Sequence, residues 1–347
     1  MKKTLAALII TAFAASAANA AVVYDNEGTK VELNGSLRVI MEKADKKEYD
    51  AANHSTKKSN SALRNAGSRF GITVKHNLDN DFYALGRVEF RFDDTTSRDK
   101  FGGVYAKRAY VGLGSKAIGE LKFGRQLTIA DDLTQANDYD YGFIPKEEYI
   151  PTAGTGVVRY DYKGIEGLQL SANYNFGQTN DEKGNPLKPG IKNAYAVGAL
   201  YTVGDLDARL AYGHTNFETG ASYAHRLDGV LASLGYKFGD FTLTGDFAYG
   251  HEKFDDEKTN KFYVAPGFAY QVLPASKVYG NYLYERVKGE NTKDKTHGFL
   301  LGADYKLHKQ VVLFVEGKYV TTKSYVNDAY DGKVKDRAIG VGMRVFF

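Results

Sequence analysis

The chain has 347 residues, of which 25% are charged, and it contains no cysteine. The lack of cysteine excludes disulfides, thiolate metal sites and cysteine nucleophiles, and the ordinary charge content argues against extensive disorder. The net charge of +4 includes two lysines at the extreme N-terminus, so the remainder is nearly neutral and gives no indication of a nucleic-acid partner. The chain has 26 Tyr, 20 Phe and 37 Gly but only 6 Pro, a composition typical of an all-β protein with tight turns.

The first twenty residues have the pattern of a secretory signal peptide. Lys2 and Lys3 precede an apolar run, residues 5–15, which is too short to span a membrane. Ala18-Asn19-Ala20 then supplies an A-x-A cleavage site. We therefore expect residues 1–20 to be a signal peptide and residues 21–347 to form a single domain outside the cytoplasm.

From Val31 onward, segments of about ten residues alternate apolar with polar or small side chains and end at turn residues. In residues 167–177, for example, Leu168, Leu170 and Ala172 share one face while Gln169 and Ser171 share the other. A period of two residues is the pleat of a β-strand. Sixteen such segments are predicted, near residues 30–42, 67–78, 82–92, 104–114, 119–127, 155–163, 167–177, 193–203, 206–216, 228–238, 241–251, 261–273, 277–288, 297–307, 311–321 and 336–347.

The connections between these segments alternate between short and long. The short ones lie near residues 79–81, 204–205 and 239–240, and the long polar ones include residues 43–66, 128–154, 178–192 and 322–335. Short periplasmic turns and long external loops are typical of outer-membrane barrels. The sequence therefore predicts a sixteen-stranded antiparallel transmembrane β-barrel whose two termini lie on the periplasmic side and whose first and last strands pair.

Charged residues recur at the centres of the polar strand faces, as at Arg87, Glu89, Asp246 and Glu316. Packing these charges into a dry core would need every one of them to be paired. Facing lipid would cost about 2–4 kcal/mol for each Arg or Lys at mid-membrane. A water-filled lumen avoids both penalties, so the charge placement predicts a pore.

The sequence resembles the general diffusion porins of Gram-negative outer membranes, particularly the major porins of the Pasteurella and Haemophilus group. The segments that carry the resemblance are residues 31–35 (VELNG), 68–71 (SRFG), 107–113 (KRAYVGL), 121–125 (LKFGR) and the C-terminal 343–347 (MRVFF). The resemblance implies a homotrimer, a third external loop folded into each lumen as a constriction, passive diffusion, and no cofactor. The expected partners are outer-membrane lipid and lipopolysaccharide outside the barrel, with ions and small hydrophilic solutes inside it.

The third long connection is the candidate constriction loop. Its acidic residues are Asp131, Asp132, Asp138, Asp140, Glu147 and Glu148. The candidate basic wall consists of Arg38, Arg69, Arg87, Arg91, Arg108 and Arg159. Of these bases, Arg69 and Arg108 match wall arginines of the family by local motif, and strand parity alone indicates the others. Acids facing bases across a narrow aqueous gap would create a transverse field that orients dipolar solutes.

Arg125 has the parity of the outward face in its strand, where contact with lipid would be costly. We expect it to lie in a subunit interface and to pair with Asp94 or Asp99 of the partner subunit. Snorkelling at the external rim is the alternative.

Two other barrel functions remain open at this point. A surface adhesin or receptor is favoured by the basic first connection, and a substrate-specific channel would need a run of aromatics along the lumen, for which Tyr83 and Tyr110 do not suffice. The seven histidines show no metal-ligand spacing, and no catalytic residues are predicted. The pattern offers no reason for the small inward residues Ala194, Ala196 and Gly198.

Overall fold

The computed structural model describes residues 20–92, 103–219 and 224–347, in which the chain forms nineteen β-strands and two short 3₁₀ helices. The strands are β1 (Ala21–Asn26), β2 (Thr29–Tyr49), β3 (Ser55–Asn65), β4 (Arg69–Asn77), β5 (Phe82–Phe92), β6 (Val104–Ser115), β7 (Gly119–Leu127), β8 (Ala153–Ile165), β9 (Leu168–Asn175), β10 (Gln178–Asn180), β11 (Pro186–Val203), β12 (Leu206–Phe217), β13 (His225–Phe238), β14 (Phe241–Phe254), β15 (Glu257–Leu273), β16 (Ser276–Lys288), β17 (Thr292–His308), β18 (Val311–Val326) and β19 (Ala329–Phe346). The 3₁₀ helices are Ile129–Leu133 and Lys146–Glu148. The predicted signal peptide comprises residues 1–20. Of these, only Ala20 lies within the described ranges.

The strands form one closed antiparallel barrel with sixteen positions around its circumference. β2 pairs with β3 through its second half and with β4 through its first half, so β3 and β4 occupy one position. β9 and β10 likewise pair with β11 in succession. β19 pairs with β2 from Phe346↔Ser36 to Lys333↔Tyr49 and closes the ring. The predicted sixteen-stranded barrel, closed by its first and last strands, is confirmed.

The apolar faces of the strands point outward and the polar faces point inward, as predicted. Leu234 and Leu301 are 55% and 60% exposed, whereas Asp246 and Glu316 are 1% and 0% exposed. The period-two pattern therefore orients the barrel for a lipid exterior and a polar interior. No helix in the described ranges is long and apolar enough to cross a membrane.

Several predicted external loops are instead strands. The predicted loop 43–66 is mostly a β-hairpin formed by β2 and β3, and the predicted loop 322–335 is the paired ends of β18 and β19. Asn327 and Asp328 make the turn of this second hairpin, with φ angles of 49° and 60°. Asn and Asp tolerate this left-handed conformation better than other side chains. The predicted connection 128–154 contains no strand before β8 begins at Ala153. The other predicted long connections in the described ranges each contain part of a strand.

β1 was not predicted. It pairs with β2 from Ala21↔Leu33 to Asn26↔Thr29, on the edge of β2 that also binds β19. Phe347 and Gly35 exchange both backbone hydrogen bonds, at 2.9 and 3.1 Å, at the junction. β1 thus continues the line of β19 at the periplasmic rim.

Candidate functional site: the barrel interior

Residues 128–152, here called the lumen loop, leave the wall after β7 and return at β8. The two ends of the loop are tied together: the Thr128 amide donates to the Thr152 carbonyl at 2.9 Å, and its hydroxyl donates to the Pro151 carbonyl at 2.6 Å. The Thr128 hydroxyl also accepts from the Ala130 amide and caps the first 3₁₀ helix. The loop therefore begins and ends at one point of the wall.

Two inward-facing carboxylates hold the loop backbone. Asp246 on β14 accepts hydrogen bonds from the Gln135 and Ala136 amides at 3.0 and 3.1 Å. Glu316 on β18 accepts from the backbone amides of Tyr139, Asp140 and Tyr141, at 2.7, 2.9 and 2.6 Å respectively. Because both carboxylates lie on the inward face of distant strands, these bonds carry the lumen loop across the barrel interior.

The apolar side of the lumen loop packs against small side chains of the wall. Ile129, Leu133, Tyr149 and Ile150 form one buried cluster with Ala196, Ala211, Leu231 and Ala248, among other residues. A Cβ added at Gly213 would lie 2.5 Å from Ile150, and one at Gly198 would lie 2.8 Å from Ile129. This packing explains the small inward residues at 196 and 198, for which the sequence offered no reason.

The six predicted loop acids divide into two groups. Three are paired: Asp131 with Lys146 at 3.2 Å, Asp132 with Arg159 at 2.8 Å, and Asp140 with Arg64. The other three, Asp138, Glu147 and Glu148, are exposed and have no ion-pair partner among the described residues. Only this second group is available to act on the aqueous space.

Four of the six predicted wall arginines surround one carboxylate. Glu89 on β5 is 3% exposed, and its oxygens lie 3.0 Å from Arg87, 2.9 Å from Arg91, 3.7 Å from Arg108 and 4.0 Å from Arg69. Arg38 lies on β2, which pairs with β4, and its Nε donates to the Ser36 hydroxyl at 2.7 Å. We call these five arginines and Glu89 the basic cluster.

Arg159 does not belong to this cluster. Its guanidinium binds Asp132 of the lumen loop and Asp161 of its own strand, at 2.8 and 3.0 Å. The prediction that all six arginines face the loop acids across a gap is therefore wrong for Arg159. Arg159 anchors the base of the loop instead.

Sequence reasoning also missed Arg344 and Glu42 as partners of the loop. Arg344 on β19 donates to the Tyr139 carbonyl and stacks 4.6 Å from the centre of the Tyr139 ring. Glu42 on β2 accepts from the Tyr141 hydroxyl at 3.0 Å. Inward parity marks both as lumen residues, but no local pattern reveals which loop atoms they meet.

Of the exposed loop acids, Glu147 and Glu148 lie on the side of the barrel away from the basic cluster. Tyr149, next to Glu148, packs edge-on against Tyr263 of β15 with ring centres 5.2 Å apart. β15 is the twelfth strand position and β5, which carries Glu89, is the third. Nearly half the circumference therefore separates them.

Arg125 is half-buried and bonds within its own chain. Its guanidinium donates to the Ala106 carbonyl at 2.8 Å and to the Glu182 carbonyl at 3.1 Å. The predicted partners, Asp94 and Asp99, lie outside the described residues. No group of three or more His, Asp and Glu side chains in the described ranges could hold a metal ion.

Comparison with known proteins agrees with this architecture. The Gram-negative porin family matches residues 4–325. The major outer membrane protein of Pasteurella multocida strain Pm70 is 32% identical over the full length of both chains. Among solved structures, the outer membrane channel DcaP of Acinetobacter baumannii is similar with a TM-score of 0.70 at 20% identity, covering 94% of this chain and 100% of that one. The trimer form of OmpT from Vibrio cholerae has a TM-score of 0.69 at 18% identity, covering 92% and 100%. The chain therefore belongs to the Gram-negative porin family and forms a general porin channel of the outer membrane.

Proposed function

We propose that ions and small hydrophilic solutes diffuse passively between the basic cluster and the exposed acids of the lumen loop, with a weak preference for anions. The observation that carries this proposal is the set of four arginines around the single carboxylate of Glu89. With Arg38, the cluster has five positive charges and one negative, a net of +4. The exposed acids Asp138, Glu147 and Glu148 contribute −3.

Charges of opposite sign on opposed walls create a field across the aqueous path. That field orients dipolar solutes and disfavours lipophilic ones, which cannot replace the ordered water. Because the net positive side is larger by one charge, the pore is expected to pass anions slightly better than cations. The preference stays small because the two sides nearly cancel.

The double variant Arg91→Gln/Arg108→Gln tests this charge balance. It lowers the basic cluster from +4 to +2, below the −3 of the acids, so selectivity should change from anion to cation. Two charges about 10 Å from the solute path contribute about 0.4 kcal/mol each in water. After screening by salt, the anion-to-cation permeability ratio should fall about two- to four-fold. The measurement is the reversal potential of planar bilayers in a KCl gradient.

Lys116→Gln/Lys309→Gln is the matched control, because both lysines are exposed in periplasmic turns and the charge change is the same. The control should keep the wild-type reversal potential. A double arginine variant with unaltered conductance and reversal potential would show that these two side chains do not line the conducting path.

The protein is proposed to assemble as a homotrimer, in line with the trimer form of OmpT. Arg125 would then pair with Asp94 or Asp99 of the partner subunit. A hydrogen bond to a charged group contributes about 1.5–3 kcal/mol, so Arg125→Ala should lower the temperature at which trimers dissociate on a gel. Asp94→Asn/Asp99→Asn should lower it equally and add nothing to Arg125→Ala. If trimers of the aspartate variants dissociate at the wild-type temperature, Arg125 forms bonds only within its own chain.

Outside the barrel, the proposed partners are the lipids of the outer membrane, including lipopolysaccharide in the outer leaflet. Exposed Leu, Val and Phe side chains along the outward faces support contact with acyl chains. Tyrosine and phenylalanine near the strand ends suit the interface with the headgroups.

A further inference from the structure

Arg64, near the end of β3, links the external hairpin of β2 and β3 to the tip of the lumen loop. Its Nη2 donates to the Glu42 carboxylate on β2 at 2.8 Å and also to the carboxylate of Asp140 in the loop. Its Nη1 donates to the Asn65 carbonyl at 3.2 Å. One guanidinium nitrogen therefore serves two carboxylates. We call Arg64, Glu42 and Asp140 the tip triad.

Arg64 lies in the segment that the sequence presents as an external loop, residues 43–66, yet its side chain faces the barrel interior. It is the cross-strand partner of Ile40, which is completely buried on the inward face of β2. Cross-strand partners lie on the same face of a sheet. The side chains of Arg64, Glu42 and Asp140 are only 17%, 8% and 9% exposed. The tip triad is thus largely shielded from bulk water, and this shielding strengthens its charge interactions.

The base of the hairpin fixes the position of Arg64 relative to the wall. The Asn65 side-chain oxygen accepts from the Ser68 amide at 2.8 Å. The Ala66 amide donates to the Arg38 carbonyl at 2.9 Å. Because Arg38 belongs to the basic cluster, the tip triad adjoins that cluster.

The backbone of the lumen loop brings Asp140 into a crowded set of polar groups. The Asp140 amide donates to the Glu316 carboxylate at 2.9 Å, and the Tyr141 hydroxyl donates to the Glu42 carboxylate at 3.0 Å. Burial raises the pKa of the Asp140 carboxyl, and the Arg64 guanidinium opposes that shift. The charged or titratable groups that face Asp140 are Arg64, Glu42, Arg344, Asp138, Glu316 and Tyr141.

We infer that Arg64 is a selectivity-determining residue of the channel, and that it acts by holding and neutralising Asp140 at the tip of the lumen loop. The inference rests on the proposed function, because it requires that fixed charges beside the aqueous path set the ion preference. The tip triad has one positive and two negative charges, a net of −1. Arg64→Gln leaves two carboxylates and a net of −2 when both are ionised.

The charge of the Arg64→Gln site should depend on pH. When two carboxylates share a buried site, the pKa of one of them is strongly raised. The second negative charge is then present above that raised pKa and is lost as the pH falls through it. In the wild type, Arg64 stabilises both ionised carboxylates and suppresses this titration.

The test is the reversal potential of planar bilayers in a KCl gradient at pH 8 and at pH 5. At pH 8, Arg64→Gln should lower the anion-to-cation permeability ratio about 1.5- to twofold, as expected for one charge about 10 Å from the path. At pH 5 the difference from the wild type should be less than half as large, because the two carboxylates then share a proton. Arg226→Gln is the matched control, since Arg226 is exposed near the outer end of β13 with parity opposite to that of buried Leu227. It should keep the wild-type ratio at both pH values.

Asp140→Asn tests the partner of Arg64. This variant makes the tip triad neutral, so at pH 8 it should raise the permeability ratio by about the same factor. The double variant Arg64→Gln/Asp140→Asn has the wild-type net charge of −1 and should return to the wild-type ratio. A purely structural role of Arg64 would not produce this reversal, because the double variant still lacks the bond between β3 and the loop.

Three results from folded, heat-modifiable barrels would overturn the assignment. They are a wild-type ratio in Arg64→Gln at pH 8, an equal shift at pH 5 and pH 8, and a shift that Asp140→Asn does not reverse. An equal shift in Arg226→Gln would indicate a general surface-charge effect and would also contradict the assignment. If Arg64→Gln does not fold, Asp140→Asn decides, since an unchanged ratio there would show that the channel does not sense charge at the loop tip.

Failure of the proposed charge balance is measured separately by Arg91→Gln/Arg108→Gln, which leaves the tip triad intact. If that variant keeps the wild-type ratio while the Arg64 and Asp140 variants shift in opposite directions, the charge balance of the basic cluster is wrong and the role of Arg64 stands. The reverse outcome would contradict the role of Arg64 alone.

Discussion

Replacing Glu316 with alanine is expected to release the middle of the lumen loop and to make the channel current unstable. The carboxylate accepts three loop amides and the Tyr279 hydroxyl, the last at 2.8 Å, and it is completely buried. Alanine would leave four buried donors without an acceptor, at about 1–3 kcal/mol each. The three loop amides lose their common acceptor, so the backbone of residues 139–141 should become mobile even though Tyr139 keeps Arg344 and Tyr141 keeps Glu42.

Single-channel recordings provide the measurement. The wild type should give steady openings, and Glu316→Ala should give large current noise with several conductance levels. Glu316→Gln keeps the shape and one carbonyl acceptor, so its noise should be intermediate. Glu32→Ala is the control, since Glu32 lies near the periplasmic end and pairs with Lys30 at 2.5 Å. The contrary result is a folded, heat-modifiable Glu316→Ala barrel whose current is as steady as the wild-type current. That result would show that the carboxylate does not hold the loop.

The barrel could be predicted from the sequence because its central segments meet two different solvents. Within the membrane, the outward face must be apolar and the inward face polar, so strands such as β9 and β14 show strict alternation. This pattern determines the orientation of each strand and the number of strands. Closure follows, because an open edge would leave backbone groups unpaired in lipid.

The same reasoning failed above the membrane for a physical reason. In residues 55–65 and 322–335, both faces of the hairpins meet water, so the hydrophobic contrast is lost while backbone pairing continues. The Asn327-Asp328 dipeptide was a usable signal, because this pair favours the left-handed conformation of a two-residue hairpin turn. The polar composition of the segments outweighed that signal.

For the interior, the sequence could identify residue types, parity and contacts along a single strand, but it could not reveal contacts between strands or with the loop. Arg87, Glu89 and Arg91 share one face of β5, so their ion pairs were accessible to local reasoning. The addition of Arg69 and Arg108 depends on strand register. The bond from the Tyr139 amide to Glu316 joins residues 177 positions apart, and no local pattern contains it.

Gly229→Ala is expected to displace the return segment of the lumen loop. A Cβ at this inward position on β13 would overlap the Tyr149 carbonyl oxygen and lie 3.0 Å from Ile150. Overpacking of this kind typically costs about 1–3 kcal/mol. Here a backbone atom is in the way, so rotation of a side chain cannot relieve the overlap. Tyr149 should shift and weaken its 3.0 Å hydrogen bond to Glu285.

Gly245→Ala is the matched control for this substitution, since Gly245 lies on the neighbouring strand β14 and a Cβ there would meet no atom within 4 Å. Both variants should fold into barrels, because the added methyl group leaves the strand ladders intact. Single-channel conductance should change only in Gly229→Ala, since the 229 position faces the loop and the 245 position faces lipid. If the two variants conduct alike, the return segment is not held by close contact with the wall, and the small inward residues of β11 to β13 need another explanation.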